Sequence, residues 1–279
     1  MPELPEVETV RAGLARRLPG RTLRAIHFAR ADLRWPMPTG PLRRLAGRRC
    51  ASIERRSKYL LLHFSGPGRP VALVHLGMSG RVFVEAAAPR RDAPPWRRHE
   101  HWRMDFGACL VRFVDPRRFG VLDLVPEARL EQHRLLRALG PEPLDPAFDA
   151  GRLHARTRGR RVALKSFLMD ARNVVGIGNI YASETCFRAG VRPRRRVGRL
   201  TRGECQRIVD AARSVLREAI AKGGTSLRDY VSADESPGWF QLALRVYGRG
   251  GEPCTVCATP IRRVVDGARA TFYCPRCQA

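Results

Sequence analysis

The chain has 279 residues, with 52 lysines and arginines against 26 acids and a formal net charge of +26. Such an excess repels itself in a compact fold unless a polyanion partners it, which favours nucleic acid over an anionic membrane surface. No apolar run is long enough to span a bilayer, no basic amphipathic helix with a broad apolar face stands out, and the acidic, proline-bearing start is no signal peptide, so a cytoplasmic location is expected.

Met1 is followed by Pro2, a small residue of the kind that leads to removal of the initiator, so Pro2 is expected to be the true N-terminus with a secondary amine. An α-amino group titrates near ~8, against ~10.4 for a lysine side chain, and is therefore nucleophilic at neutral pH. Its attack on an aldehyde carbon gives an iminium that acts as an electron sink, with Glu3 beside it for proton transfer. Stiffening of an N-terminal arm by Pro2 and Pro5 explains the same residues.

Val7, Val10, Leu14 and Leu18 set a helix over 6–18. From 22 to about 124 the pattern changes to short strands, among them 22–28, 59–64, 71–76, 81–85 and 109–114, which predicts a β-sandwich or barrel-like domain led by one helix. Residues 85–98, with three prolines and an alanine run, read as an exposed loop. The helical period returns from about Leu130. Its clearest helix starts at Thr201 and Glu204 in capping-box spacing, places Ile208, Val209, Ala212, Val215, Leu216, Ala219 and Ile220 on one face, and stops at Gly223 and Gly224. A polar stretch, 225–238, leads to a cysteine-rich end. The fold class expected is α+β multidomain: residues 1–128 as an N-terminal helix plus β-sandwich, 129–240 as a helical domain with a loop near 223–238, and 241–279 as a four-cysteine ribbon.

Cys50, Cys109, Cys186 and Cys205 sit among apolar or helical neighbours and read as buried, reduced residues. Cys254-x-x-Cys257 and Cys274-x-x-Cys277, sixteen residues apart, have the spacing of a tetrahedral structural zinc site. Paired disulfides are the alternative, unfavoured in the cytoplasm. Gly176-Ile177-Gly178-Asn179-Ile180-Tyr181 fits either an ordinary tight turn or a phosphate clamp at a helix N-terminus. The acid-free run 188–202 carries seven arginines, which a DNA backbone would neutralise. Only Lys58, Lys165 and Lys222 are lysine, so each of the first two is a candidate for a compact or titratable charge, or a chance survivor.

Met1-Pro-Glu-Leu-Pro-Glu-Val-Glu-Thr9, His75-Leu-Gly-Met-Ser-Gly80, Asp115-Pro-Arg-Arg-Phe-Gly120, Gly176-Ile-Gly-Asn-Ile-Tyr-Ala-Ser-Glu184 and the ribbon together closely resemble the formamidopyrimidine-DNA glycosylase family, in order and spacing from the first residue almost to the last. The resemblance implies a bacterial enzyme of the nucleoid that excises oxidised purines such as 8-oxoguanine from double-stranded DNA. It then cleaves the abasic site by β,δ-elimination, with one zinc ion and no organic cofactor. Pro2 would be the nucleophile, Glu3 the proton donor and acceptor, Lys58 a phosphate contact that assists β-elimination, and Arg269 the ribbon arginine of δ-elimination. Met78, Arg117 and Phe119 match the residues that fill the space left by the flipped base. His99, Arg117, Arg160 and Asn179 match DNA contacts, the middle region being a helix-two-turn-helix. Arg160 stands where the family pattern has lysine and keeps the charge, and the length of 85–98 bears on the alignment of His99. Lys165 reads as a backbone contact or a surface charge. Glu6, Thr225, Arg228 and Tyr230 are candidates for lesion recognition, the last three on a lesion-capping loop, with a helix N-terminal charge as the other reading of Glu6. A monomer is expected, because the DNA face draws on all three regions.

Two alternatives carry the same features. An endonuclease VIII-type enzyme shares the fold and the Pro2 chemistry but prefers oxidised pyrimidines; Leu4 and the full Phe119 motif favour the purine branch. A non-catalytic zinc-ribbon DNA-binding protein would explain the charge, the glycine turn and the ribbon, but not Pro2, Glu3 and Lys58 together.

Overall fold

The computed structural model describes residues 2–86, 94–225 and 240–279. The chain divides into two compact units, one formed by the chain up to Arg137 and rejoined from Gly223, the other by Ala138–Lys222 and Phe240–Ala279.

The first unit opens with α1 (Leu4–Ala15), whose residues Val7, Val10 and Leu14 are buried as their spacing requires. Two antiparallel sheets follow. One is ordered β1 (Ala25–Phe28), β6 (Glu100–Asp105), β7 (Cys109–Val114), β5 (Arg81–Ala86), and the other β2 (Cys50–Arg56), β3 (Tyr59–Phe64), β4 (Pro70–His75), β8 (Val121–Pro126). Alternate residues of β3 and β4 (Leu60, Leu62, Phe64, Ala72, Val74) share one core with Val82 and Val84 of β5, Trp102 and Met104 of β6, and Val111 and Phe113 of β7. This is the expected sandwich led by a helix. Trp102 lies opposite Phe113 across the β6–β7 ladder, and their rings stack at 5.0 Å. A short helix, α2 (Thr39–Arg43), lies between β1 and β2.

In the second unit α3 (Ala150–Thr157), α4 (Leu164–Met169), α5 (Asn179–Arg188) and α6 (Arg202–Ala221) enclose their own core. The α6 capping box is present: Thr201 Oγ1 accepts the Glu204 N–H at 3.1 Å, and Glu204 Oε2 accepts the Thr201 N–H at 2.8 Å. Helix starts later than the period from Leu130 suggested. Residues 130–149 form turns, and in the second half Pro141, Pro143 and Pro146 lack the N–H a helix needs and crowd the preceding turn. The ribbon hairpin, β9 (Arg262–Asp266) and β10 (Arg269–Tyr273), completes the unit. Among the described residues no helix is long and apolar enough to cross a membrane.

Two buried charges hold the ribbon segments to the helices. Lys165 on α4 is 4% exposed, and its Nζ donates to the Ala270 carbonyl at 2.9 Å and to Thr271 Oγ1 at 2.7 Å, so it is neither a surface charge nor an exposed contact. Glu184 on α5 is fully buried, and its carboxylate accepts the N–H groups of Arg245, Val246 and Tyr247 at 3.1, 3.0 and 2.9 Å. Glu184→Gln turns an NH₂ toward those donors and is expected to destabilise the fold by about 3 kcal/mol, read as a lower urea midpoint.

Candidate functional site

At the N-terminus, Pro2 and Glu3 are buried immediately before α1, and Met1 lies outside the described residues. Glu6 holds this start in place. Its Oε2 accepts the Glu3 N–H at 2.8 Å, and its Oε1 accepts the Thr225 N–H at 2.8 Å and the Thr225 hydroxyl at 3.0 Å. Gly224 has φ +80°, and a Cβ there would come within 2.9 Å of Glu6 Oε1. One carboxylate therefore pins both the Pro2-Glu3 step and the first residue of the polar stretch. Arg228 and Tyr230 lie outside the described residues.

A second carboxylate on α1 reaches the β2–β3 hairpin. Glu8 accepts from Arg55 Nε at 2.9 Å, and Arg55 Nη1 donates to the Ser57 carbonyl at 2.9 Å. Ser57 takes a left-handed φ of +58° in the Ser57-Lys58 turn, which sits between the paired Arg56 and Tyr59. Lys58 is thus carried, half-exposed, on a turn tied to the helix that begins at the nucleophile candidate. At the end of β4 the His75 ring meets Tyr59 at 4.8 Å, and its Nδ1 accepts the Gly77 N–H at 3.0 Å, which leaves the proton on Nε2.

Burial, then the Lys58 and Arg34 charges, push the His75 pKa down to about 4 from 6.5. The neutral ring stabilises the fold fully above pH 6.5, and that contribution is lost as pH falls toward 4. The expected loss between pH 7.5 and 5 is about 2 kcal/mol, absent in His75→Gln, and urea melts at the two pH values check it.

Met78 and Phe119 are each 40% exposed, which removes the core reading for both. They sit on neighbouring loops: Gly77 has φ +66°, and a Cβ on it would lie 2.5 Å from the Phe119 carbonyl carbon. The Arg117 guanidinium stands 4.9 Å over the Phe119 ring. His99 is exposed, with φ +61°, and its carbonyl accepts the Asp115 N–H at 2.9 Å. The described end of the 85–98 segment is fastened rather than loose. Arg103 donates to the Pro94 carbonyl at 2.5 Å, Arg112 to the Pro95 carbonyl at 3.2 Å, and buried Glu100 accepts from Arg112 at 2.6 Å and from the Arg97 N–H at 2.8 Å.

The remaining candidates belong to the second unit. Asn179 opens α5, and its Nδ2 donates to the Ala270 carbonyl at 3.1 Å, next to Arg269. Arg269 is exposed at the head of β10, after a turn in which Gly267 and Ala268 have φ of +53° and +62°. The exposed Arg160 guanidinium lies 5.7 Å over the Phe167 ring. The arginine run 188–202 is in part structural. Arg188 pairs with Glu218 at 2.5 Å, Arg194 with Asp266 at 2.8 Å and Arg195 with Glu204 at 3.1 Å, while Arg192 donates to the Gln278 carbonyl at 2.9 Å.

The ligand sulfurs of Cys254, Cys257, Cys274 and Cys277 all lie within 4.8 Å of one another. Backbone N–H groups of Val256 and Cys277 point at Cys254 and Cys274 sulfur at 3.5 and 3.4 Å, as in knuckles that hold thiolates. Hydrogen bonds, first from Thr259, draw the Cys257 thiol down to about 6, while burial pushes Cys274 and Cys277 up. Four soft donors so crowded fit a tetrahedral zinc ion. Cys50, Cys109, Cys186 and Cys205 are buried and free, and burial pushes the Cys50 and Cys186 thiols up to about 12.

Glu8, Ser79, Asp115 and Glu184 lie within the quoted motifs but were given no role from sequence, and Arg55 was passed over. An acid inside the apolar stretch of α5 was the one local sign, and it marked Glu184.

Three family models match the chain: formamidopyrimidine-DNA glycosylase N-terminal domain over residues 1–122, its H2TH domain over 139–231, and a zinc finger found in FPG and IleRS over 251–279. A formamidopyrimidine-DNA glycosylase of Thiobacillus denitrificans is 51% identical, covering 100% of both chains. A variant of Lactococcus lactis FPG, solved in complex with a Fapy-dG containing DNA, is similar at 32% identity and TM-score 0.89, covering 99% of each chain. MutM in complex with carbocyclic 8-oxo-G containing DNA is similar at 31% identity and TM-score 0.87, again over 99% of each chain.

Proposed function

The chain belongs to the formamidopyrimidine-DNA glycosylase family, and from that membership we propose that it flips and excises oxidised purines from duplex DNA and cleaves the resulting abasic site. The observation that carries this reading is the buried Pro2-Glu3 step, clamped by Glu6 at the head of α1, in a chain that matches the family from end to end.

The Pro2 nitrogen, freed by loss of Met1, attacks the sugar C1′; the C1′–N bond breaks, the damaged base leaves with the electron pair, and the proton given up by the amine neutralises it. Glu3 gives a proton to the ring oxygen as the sugar opens to the iminium. The iminium acidifies C2′, whose proton departs as the 3′ phosphate is expelled. Lys58, held on its turn by Arg55, faces a backbone phosphate and assists that step. Arg269 grips the 5′ phosphate, which leaves with the electrons of the C5′–O bond as the C4′ proton departs, giving a one-nucleotide gap with phosphate at both ends. No organic cofactor is needed, since the iminium is itself the electron sink.

Met78, Arg117 and Phe119 fill the duplex where the base has left, and His99, Arg160 and Asn179 contact the strands. Glu6 and Thr225 border the lesion through their shared contact, with Arg228 and Tyr230 on the segment that follows. Cys254, Cys257, Cys274 and Cys277 hold one structural zinc ion that supports the ribbon carrying Arg269. We read the working division as residues 1–128 for chemistry, 129–240 for the helix-two-turn-helix and capping loop, and 241–279 for the ribbon. The protein works as a monomer in the bacterial cytoplasm, on nucleoid DNA.

The test is borohydride trapping on a duplex with one 8-oxoguanine opposite cytosine, beside a duplex with an oxidised pyrimidine. An adduct on the purine duplex with the mass of the chain lacking Met1 is expected. No adduct on either duplex, from zinc-loaded protein that binds both, would sink the enzymatic reading. Adduct on the pyrimidine duplex alone would move it to the endonuclease VIII-type branch.

A further inference from the structure

Between the Met78 turn and the Arg117-Phe119 loop lies a buried carboxylate that the chemistry above does not use. Asp115 is 0% exposed and Ser79 is 7% exposed. The Ser79 hydroxyl donates to Asp115 Oδ1 at 2.6 Å, and the Arg117 N–H points at the same oxygen and at Ser79 Oγ, at 3.3 Å each. Asp115 Oδ2 accepts the Gly120 N–H at 2.8 Å. The Asp115 carbonyl accepts from His101 Nε2 at 2.7 Å and from the Arg118 N–H at 3.2 Å. One side of the carboxylate therefore holds the turn that exposes Met78, and both sides hold the loop that exposes Phe119.

Packing fixes each segment in place as well. A Cβ on Gly80 would meet the Leu76 carbonyl oxygen at 2.2 Å, and one on Gly120 would meet the Phe113 ring at 2.5 Å. With Gly77 already against the Phe119 backbone, the turn and the loop close on each other through main chain.

We propose that Ser79 and Asp115 are positioning residues that join the Met78 turn and the Arg117-Phe119 loop into one rigid wedge, so that both tips enter the duplex together. This rests on the glycosylase reading above. Opening a base step costs a few kcal/mol, and two loops ordered separately on DNA would add their own ordering cost to it. A carboxylate that orders them in advance removes that second cost. It matters most where a stacked, paired base must be extruded, and least at an abasic site, where there is no base to extrude.

The experiment is single-turnover cleavage of two duplexes, one with 8-oxoguanine opposite cytosine and one with a preformed abasic site. The proteins compared are the parent, Ser79→Ala, Asp115→Asn and the double variant, each full-length and zinc-loaded. Asp115→Asn keeps the shape but turns an NH₂ toward N–H and O–H donors. Excision is expected to fall about thirtyfold in Asp115→Asn and about fivefold in Ser79→Ala, with abasic-site cleavage within about twofold and the double variant no worse than Asp115→Asn. A nucleotide analogue that fluoresces on unstacking, placed opposite the lesion, should brighten less in the variants.

Equal losses on both duplexes would mean general loosening of the fold and overturn the proposal, as would unchanged excision. If Asp115→Asn does not fold, the ratio of the two activities in Ser79→Ala decides alone. Met78→Ala and Phe119→Ala separate the layers. If they lower excision and the Ser79 and Asp115 variants do not, only the coupling is wrong. If none of the four lowers it, the wedge assignment fails and the coupling with it. A parent without excision overturns the glycosylase reading itself.

Discussion

Adding one residue ahead of Pro2, so that its nitrogen is locked in an amide, is expected to slow excision by about 10³-fold or more and to abolish the borohydride-trapped adduct. An amide nitrogen has no lone pair to give to C1′, whereas a Pro2 that merely stiffens an arm would do so equally well behind an added residue and leave the chemistry almost untouched. Glu3→Gln keeps the amine and removes the proton, so base release should fall by about 10³-fold. Its reaction with a preformed abasic site should fall much less, because there the aldehyde is already open and the amine alone can add. The Glu6 clamp sharpens this contrast. The Glu3 backbone N–H is bound to Glu6, and the Glu3 side chain completes the capping box by accepting from the Glu6 backbone, a bond the amide oxygen of Gln can keep, so Gln at position 3 can replace Glu without shifting the Pro2-Glu3 peptide. Single-turnover assays on both substrates, with intact mass to verify each N-terminus, check it. Full adduct yield from the extended chain would transfer the nucleophile's role to another amine, and Lys58→Arg would then be the next variant.

Much of this architecture was legible wherever a signal is local. The Thr201–Glu204 box, the apolar face of α6 and the cysteine spacing each need only a few neighbouring residues, and each is present in the fold. The order β1-β6-β7-β5 was not legible, since alternation reports which face of a strand is buried and not which strand lies beside it. Charge misled for the same reason. Lys165 and several of the arginines at 188–202 look like solvent- or DNA-facing cations until their partners, Thr271, Glu218, Asp266 and the C-terminal carbonyls, are brought up from far along the chain. Residues 130–149 misled in the opposite way, as apolar spacing suggested a helix where the chain forms turns, with prolines barring helix in the second half. At the candidate site, motif residues such as Met78 and Phe119 were identifiable, but the groups that aim them were not. Asp115 and Arg55 act through contacts to separate segments of the chain, which leave no periodic trace.

Stripping the metal should have the second large effect, confined to the end of the chain. Among the described residues the ribbon's buried core is Phe187, Val246, Cys254, Ile261, Phe272 and Cys274, with Tyr247, Cys257, Ala270 and Cys277 packed against it, and the four cysteines are the ligand candidates. A two-stranded hairpin on so small a core is marginal by itself, while a structural zinc site contributes on the order of 10 kcal/mol. Chelation, or Cys274→Ser, is therefore expected to unfold the knuckles, release the hairpin that presents Arg269 and weaken binding to lesion DNA by about 100-fold or more. Amide exchange gives the finer check. Val246 and Tyr247 donate to Glu184 on α5, outside the knuckles, and should stay protected when 254–279 exchange freely. The Ala270 carbonyl, gripped by Lys165 and Asn179, should lose that grip as β10 frays, which takes the Ala270 and Thr271 bonds from a buried ammonium. Metal loss should then also lower the stability of the helical core that surrounds Lys165, by more in the parent than in Lys165→Met. Metal-free protein that keeps its DNA affinity and its protection across 254–279 would show that helix contacts alone hold the ribbon.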